Sequence, residues 1–251
     1  MKIFISTCNT HLHLVPIFCH LFNKFWSSNQ EVTILGYNHP NSFSESFNLP
    51  DNFKFVQLNG GDQQTVNHFS NHMYDHFSSL DDKYFIWMME DTFLRNINFK
   101  ILNAFYSVCQ SDTTGRIGRI DLTEGMSHRR TSLWKTVDGV DILANDQDVH
   151  YRVATQASIW NKEYLLKYLK PNLSPWDVEL NALQPAIGDG WHILGTQRSF
   201  SSDFPESVQR VDPSLAMTRN EGVVKNNIHK LNLNAMDEDT VREIQEIVNA
   251  Y

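Results

Sequence analysis

The sequence Tyr84-Phe85-Ile86-Trp87-Met88-Met89-Glu90-Asp91 runs from six uncharged, largely apolar residues directly into two adjacent carboxylates. A short apolar run without charge is typical of a strand that is buried on both faces. Burial of an ionised carboxylate is costly unless water, a cation or hydrogen bonds compensate it. We therefore predict an interior strand that emerges from the core at Glu90 and Asp91, where it ends at a polar site.

Strand-like and helix-like patterns alternate on both sides of this segment. Further strands are predicted at residues 2–6, 31–35, 54–58, 116–122 and 191–195. Helices are predicted at residues 14–26, 65–77, 177–183 and 237–250, and a further helix start at 159–169. This alternation predicts an α/β fold of Rossmann-like type, in which helices flank a central, mainly parallel mixed sheet. No linker or internal repeat interrupts it, which favours a single domain over residues 1–251.

The composition excludes several classes of protein. With 41% hydrophobic and 20% charged residues, the chain has the composition of a globular protein. The net charge of −8 and the scattered lysines and arginines argue against nucleic-acid binding, which needs clustered cations. No run approaches the ~20 apolar residues of a transmembrane helix. Cys8, Cys19 and Cys109 lie in apolar runs, which predicts buried thiols and a cytoplasmic location.

Polar residues at the ends of the predicted strands are candidates for ligand binding. Open α/β sheets bind ligands beyond the carboxyl ends of their strands. Thr7 and Asn9 follow the first strand, so we expect them near Glu90 and Asp91. Mg²⁺ and Mn²⁺ prefer hard oxygen ligands and bridge to substrate phosphates, which makes the two carboxylates candidate metal ligands. In the structural alternative, Asp91 caps a helical turn that follows it.

A second candidate segment is Ser174-Pro175-Trp176-Asp177-Val178-Glu179. Ser-Pro is typical of a helix start, and Asp177 and Glu179 fall within its first two turns. Acidic residues at that place also suit the helix dipole without any catalytic role. Trp176, however, offers an apolar face of the kind that stacks on sugar rings, and a carboxylate beside it is a candidate general base.

Four segments together resemble glycosyltransferases of the GT-A fold. They are Glu90–Leu94 with the strand before it, Arg116–Ile120, Thr155–Leu165 and Ser174–Glu179. The resemblance is best between Tyr84 and Leu180, whereas the first third of the chain matches only as a generic nucleotide-binding half.

The resemblance implies a hexosyltransferase-like enzyme that moves a sugar from a nucleotide-diphosphate donor to a hydroxyl group of a glycan or another acceptor. Residues 1–115 would bind the nucleotide and residues 116–251 the acceptor. In this fold an acidic motif, commonly Asp-x-Asp, closes a central strand and holds the metal of the donor. Glu90 and Asp91 stand at that position, with Mn²⁺ or Mg²⁺ as the implied ion. Because Glu-Asp departs from Asp-x-Asp, basic side chains are alternative partners of the diphosphate, namely Arg116, Arg119, Arg129 or Arg130.

Inverting enzymes of this fold use a carboxylate to deprotonate the acceptor. Glu179 matches the Pro-Trp-x-x-Glu pattern and is the first candidate for that base, with Asp177 as the second. Trp176 and Gln156 are the implied acceptor contacts. Retaining enzymes need no such base, so the stereochemistry stays open, as does the oligomeric state.

The histidines supply alternative interpretations. His11-x-His13 follows the first strand and, with Asp91, is also compatible with a metal-dependent hydrolase. His229 is either a late ligand or a surface residue. Three histidines at helical spacing are expected on a solvated helix face beside an apolar stripe: His68, His72 and His76. A non-catalytic carbohydrate- or nucleotide-binding domain is the remaining alternative.

Overall fold

The computed structural model describes residues 1–42, 44, 47–58, 68–123, 126, 129–197, 215–221 and 236–250. Its strands are β1 Ile3–Ser6, β2 Val32–Gly36, β3 Phe53–Gln57, β4 Tyr84–Met89, β5 Thr92–Ile97, β6 Ile117–Asp121, β7 Thr131–Val137, β8 Val140–Asn145, β9 Ser158–Asn161, β10 His192–Gly195 and β11 Met217–Glu221. Its α-helices are α1 Val15–Phe22, α2 Phe69–Ser78, α3 Phe99–Gln110, α4 Lys162–Tyr168, α5 Pro175–Ala182 and α6 Glu238–Ala250. A 3-10 helix at Asn9–Leu14 precedes α1.

Nine strands form one sheet in the order β3-β2-β1-β4-β9-β6-β10-β8-β7. Strands β3, β2, β1 and β4 are parallel to one another, and β6 is parallel to β10. Strand β9 runs antiparallel to both β4 and β6, and β8 runs antiparallel to β10 and β7. The predicted α/β fold with a mainly parallel mixed sheet is confirmed. Strand β9, from the second half of the chain, lies inside the sheet beside β4.

The apolar core covers both faces of this sheet, which explains the composition of β4. Alternate residues of a strand point to opposite faces. Phe85 and Trp87 belong to one buried apolar cluster, and Ile86 and Met88 to the other. All four side chains are fully buried, and burial of each large apolar side chain stabilises the fold by about 1.5–3 kcal/mol. A charged residue within β4 would lose its hydration on either face.

The structure excludes the structural alternative for Asp91 and shows one local prediction to be wrong. Strand β5 follows Asp91 directly and pairs with β11, so no helix begins there for Asp91 to cap. Residues 158–161 form β9 instead of the start of a helix, and α4 begins only at Lys162. The side chain of Asn161 accepts hydrogen bonds from the backbone N–H groups of Glu163 and Tyr164, and this cap sets the boundary between strand and helix.

Some predictions concern residues outside the described ranges. They include the first three residues of the helix predicted at 65–77 and His229. Within the described ranges, no helix is both long and apolar enough to cross a lipid bilayer.

Candidate functional site

A cleft of about 250 Å³ opens at the carboxyl ends of β1 and β4. These strands are parallel, with Ser6 opposite Met89, so the residues that follow them emerge side by side. The backbone N–H of Glu90 donates to the carbonyl oxygen of Ser6 at 3.2 Å and extends the pairing into the cleft. Strand β9 runs in the opposite direction, and therefore the residues that precede it, including Thr155, reach the same edge of the sheet.

The start of α5 forms another wall of the cleft, lined by Pro175 and Trp176. A capping box fixes this helix start. The Ser174 hydroxyl accepts from the N–H of Asp177 at 3.1 Å, and the Asp177 carboxylate accepts from the N–H of Ser174 at 3.2 Å. The indole of Trp176, which is 69% exposed, is left at the rim. Asp177 is therefore engaged in capping the helix that carries Trp176.

Glu179 lies one turn further along α5 and is joined to the cleft wall through Thr155. Its Oε1 atom accepts hydrogen bonds from the backbone N–H of Thr155 at 2.5 Å and from the Thr155 hydroxyl at 2.7 Å. Thr155 itself lines the cleft. Glu179 thus lies directly behind the cleft wall, in contact with Thr155, and is not itself one of the residues that line the cleft.

Arg129 is the guanidinium group beside Glu179. Burial, and next the positive charge of Arg119, lower the pKa of Arg129 to about 10, although the nearby carboxylates of Asp121 and Glu179 act in the opposite direction. Within the described part of the chain, its buried Nη1 atom has no hydrogen-bond partner. Arg129 is therefore a partly buried cation beside Glu179 with one buried N–H donor that has no partner among the described residues.

The two carboxylates after β4 differ in their surroundings, although both line the cleft. Glu90 is only 2% exposed and lies 2.7 Å from Nδ1 of His11. Burial raises the pKa of Glu90, while hydrogen bonding to Cys8 and then to Glu90 raises the pKa of His11 to about 10. Asp91 is only partly buried and is the carboxylate more open to a ligand.

Cys8 also lines the cleft and is half-buried, so the prediction of a buried thiol is wrong for this cysteine and confirmed for Cys19 and Cys109. The ligand atoms of Cys8, His11 and Glu90 all lie within 4.8 Å of one another. Among the described residues, these three form the group that could hold a metal ion. The set expected for a hydrolase, His11 with His13 and Asp91, is not assembled there.

Three further residues predicted to bind ligands lie at or near the cleft. Thr7 lines it. The Asn9 side chain accepts from the backbone N–H of Asn38 at 3.1 Å and ties the loop after β1 to the end of β2. Gln156 accepts from the Thr123 hydroxyl at 3.5 Å and lies next to the cleft residue Thr155. Thr7 is thus placed to contact a ligand, whereas Asn9 braces the loop.

Arg119 lies away from the cleft, in contrast to its predicted contact with the donor. Its side chain is fully buried, donates to Asp121 at 2.6 Å and donates to the Ser158 hydroxyl at 2.8 Å. The physical reason is that β6 is an interior strand between β9 and β10, so its side chains are covered on both faces. No exposed atom of Arg119 is available to a diphosphate.

Sequence reasoning missed the apolar wall of the cleft, which consists of Tyr37, Phe69, Met73 and Met89. The Tyr37 hydroxyl is 2.8 Å from Nδ1 of His72. Phe69 and Met73 form part of the apolar stripe predicted for α2, and Tyr37 directly follows β2. The sequence thus indicated the apolar stripe of α2 and the position of Tyr37 after β2, but it did not show that the stripe reaches the carboxyl ends of the strands. The solvated face predicted for the α2 histidines is confirmed for His68, which is exposed, but not for His72 and His76, which are partly buried.

Comparison with known proteins yields structural matches at low identity. No family model matches the sequence, and a search of the curated proteins gives no match. Solved structures that match include TarS of S. aureus, at 13% identity and a TM-score of 0.49, over 78% of this chain and 58% of that chain. Galactosyltransferase LgtC, in complex with donor and acceptor sugar analogs, matches at 10% identity and a TM-score of 0.42, over 77% and 73%. A cytidylyltransferase from Leptospira borgpetersenii matches at 11% identity and a TM-score of 0.49, over 100% and 97%. Such values assign no activity to this chain.

Proposed function

We propose that this chain is a glycosyltransferase that moves a sugar from a nucleotide-diphosphate donor to a hydroxyl group of a glycan or another acceptor. One observation carries the proposal. A single cleft joins the carboxylates after β4, an exposed indole at the rim and a wall held by the carboxylate of Glu179. These groups are separated in the sequence, and each suits a different part of the reaction.

The donor is proposed to bind with its diphosphate near Thr7 and Asp91. Asp91 is the partly exposed carboxylate of the cleft, and Glu90 is the buried one next to it. Together their oxygen atoms fit Mn²⁺ or Mg²⁺, which would neutralise the negative charge of the diphosphate. Arg129 is the proposed cationic side chain for the leaving group, in place of Arg119, because its side chain is only partly buried whereas that of Arg119 is fully buried.

The acceptor is proposed to lie against Trp176, with Glu179 as its base. In the transfer, the acceptor hydroxyl oxygen forms a bond to the anomeric carbon while the bond from that carbon to the diphosphate breaks. The hydroxyl proton passes to the Glu179 carboxylate, whose position is fixed by Thr155. Such positioning and proton removal are the two ways in which these residues would accelerate the reaction.

The cleft volume sets a condition on this proposal. Ligand pockets usually enclose about 300–1,000 Å³, whereas this cleft encloses about 250 Å³. A nucleotide sugar would therefore fill the cleft and extend beyond its rim, past Trp176. The exposed indole is then placed to meet the outer part of the ligand or the acceptor.

A thermal-shift panel of UDP, GDP, CMP and dTDP sugars, each with and without Mn²⁺, tests the proposal. A ligand at 100 times its Kd stabilises the native state by about 2.7 kcal/mol. For a protein of this size, that raises the Tm by roughly 5–10 °C. We expect one nucleotide class to raise the Tm and the same donor to be hydrolysed slowly in the absence of an acceptor. A panel without any shift, together with no donor hydrolysis, would contradict the proposal.

A further inference from the structure

We propose that Cys8, His11 and Glu90 form a binding site for a zinc-class divalent ion, with an open coordination position that faces the cleft. The inference does not depend on glycosyl transfer, because metal binding is measured without donor or acceptor. Because Glu90 is also a proposed ligand of the Mn²⁺ or Mg²⁺ in the donor complex, the two ions would compete for it, and zinc binding is therefore measured without donor.

The local fold explains why Cys8 and His11 approach each other. They stand three residues apart, and the His11 N–H donates to the Cys8 carbonyl oxygen at 2.9 Å in the first turn of the 3-10 helix. Side chains at positions i and i+3 of a 3-10 turn lie on the same side of the helix. The spacing Cys-x-x-His therefore directs a thiol and an imidazole to one point.

The third group, Glu90, comes from the neighbouring strand. The pairing of β1 with β4 places Glu90 beside the loop that carries Cys8, and its carboxylate is 2.7 Å from the imidazole of His11. The carboxylate is only 2% exposed, so water contributes little to its hydration. A divalent cation that displaces the proton between His11 and Glu90 would supply the compensating charge for this buried carboxylate.

The chemistry of the three ligand atoms selects the ion. One sulfur, one nitrogen and one oxygen are the atoms that zinc takes in proteins, whereas Mg²⁺ and Mn²⁺ favour oxygen alone. Tetrahedral zinc with bonds of about 2.0–2.3 Å places its ligand atoms roughly 3.5 Å apart. The present atoms lie within 4.8 Å of one another, so small side-chain rotations suffice. Three protein ligands leave the fourth position open, as in catalytic zinc sites.

The test uses the full chain, stripped with a chelator and then titrated with Zn²⁺ and, separately, with Co²⁺. We expect one ion per chain, measured by elemental analysis, and a thiolate-to-cobalt absorption band in the Co²⁺ form. Cys8→Ser should abolish the band and weaken Zn²⁺ binding by more than the ~10–100-fold that follows loss of an outer-shell partner. Cys109→Ala removes a buried thiol outside the group and should leave both signals unchanged.

Three outcomes would overturn the inference. One is a Cys8→Ser variant that binds Zn²⁺ as tightly as the parent chain. Another is loss of binding only when His68 and His72 are replaced, which would locate the ion on α2. The third is the absence of stoichiometric binding by the parent chain, whose fold is checked by circular dichroism. The donor panel and the zinc titration have separate readouts, so failure of one proposal is distinguishable from failure of the other.

Discussion

Replacement of Glu179 by Gln separates the two roles that the structure allows for this side chain. The carboxylate Oε1 accepts two hydrogen bonds from Thr155, one from its N–H and one from its hydroxyl. A glutamine carbonyl oxygen can accept both of them, so the cleft wall keeps its shape. The amide cannot accept the acceptor proton, however. Loss of a general base typically costs ~10²–10⁴-fold in rate, and we expect turnover to fall by that factor while donor affinity holds.

The accompanying loss of stability follows from the same two hydrogen bonds. Hydrogen bonds to charged groups contribute about 1.5–3 kcal/mol each, and neutral ones about 0.5–1.5 kcal/mol. Because Glu179 is partly exposed, we expect a loss of about 1–2 kcal/mol in total, or roughly 2–8 °C in Tm. Thr155→Val removes one of the two donors but keeps the carboxylate. Its Tm should fall by a similar amount, while its rate should remain within about 10-fold of the parent rate.

Steady-state kinetics with a matched donor and acceptor, together with thermal unfolding of each variant, decide between the roles. Asp177→Asn is the matched control on the same helix, since Asp177 is engaged in capping, and its rate should stay near normal. A near-normal rate for Glu179→Gln would refute the assignment of the base. If Thr155→Val lost as much rate as Glu179→Gln, Glu179 would act by holding the wall rather than by removing a proton.

Three further changes test other parts of the structure. Asp91→Asn should weaken donor binding, or remove its dependence on Mn²⁺, with little change in Tm; donor titrations by calorimetry with and without Mn²⁺ would reveal unchanged binding if Asp91 has no such role. Gly118→Ala should destabilise the fold by about 1–3 kcal/mol in urea unfolding, because the added Cβ would lie 2.7 Å from the ring of Tyr164, and an unchanged midpoint would contradict the packing there. Burial opposes ionisation of Asp112, yet hydrogen bonds led by the one from Tyr84 outweigh it and lower the pKa of Asp112 to about 2. The lowered pKa stabilises the fold above pH 3.8, its value in the unfolded chain, and this stabilisation is lost as the pH falls towards 2. Asp112→Asn should therefore lower the free energy of unfolding by about 1–2 kcal/mol at pH 7 and make it depend less on pH between about 4 and 2. An unchanged pH dependence of the free energy of unfolding would contradict this linkage.

Local sequence signals were sufficient for the strands of the first half. Residues 84–89 form β4 as predicted, and the runs at 2–6, 31–35 and 54–58 correspond to β1, β2 and β3 within one or two residues. Strands β1, β2 and β4 are short apolar runs whose side chains are mostly buried, whereas β3 is an edge strand in which Phe53 alone is buried. The parallel arrangement then placed Thr7 and Asp91 in one cleft without further information.

The remainder depended on contacts between distant parts of the chain. Residues 159–161 were assigned to a helix start because their own pattern does not specify that they pair with β4 and β6. Arg119 was assigned to the donor because the sequence does not show that Asp121 and Ser158 satisfy its guanidinium inside the sheet. Cys8 resembled the other apolar-run cysteines, although its place directly after β1 was a signal for the cleft. For β9 and for Arg119, contacts with distant residues decided the structure against the preference of the local sequence.

The position of β9 has a consequence for the order in which the sheet is completed. Strand β4 has β1 on one side, but its other side is paired only by β9, which lies about 70 residues later in the chain. During synthesis, ribosomes add about 5–20 residues per second, so β4 spends several seconds with a free apolar edge before its partner emerges. Free edges of this kind are the sites at which nascent chains pair with one another. Pairing of β9 with β4 thus ends a vulnerable interval and, in the same step, brings Thr155 to the cleft.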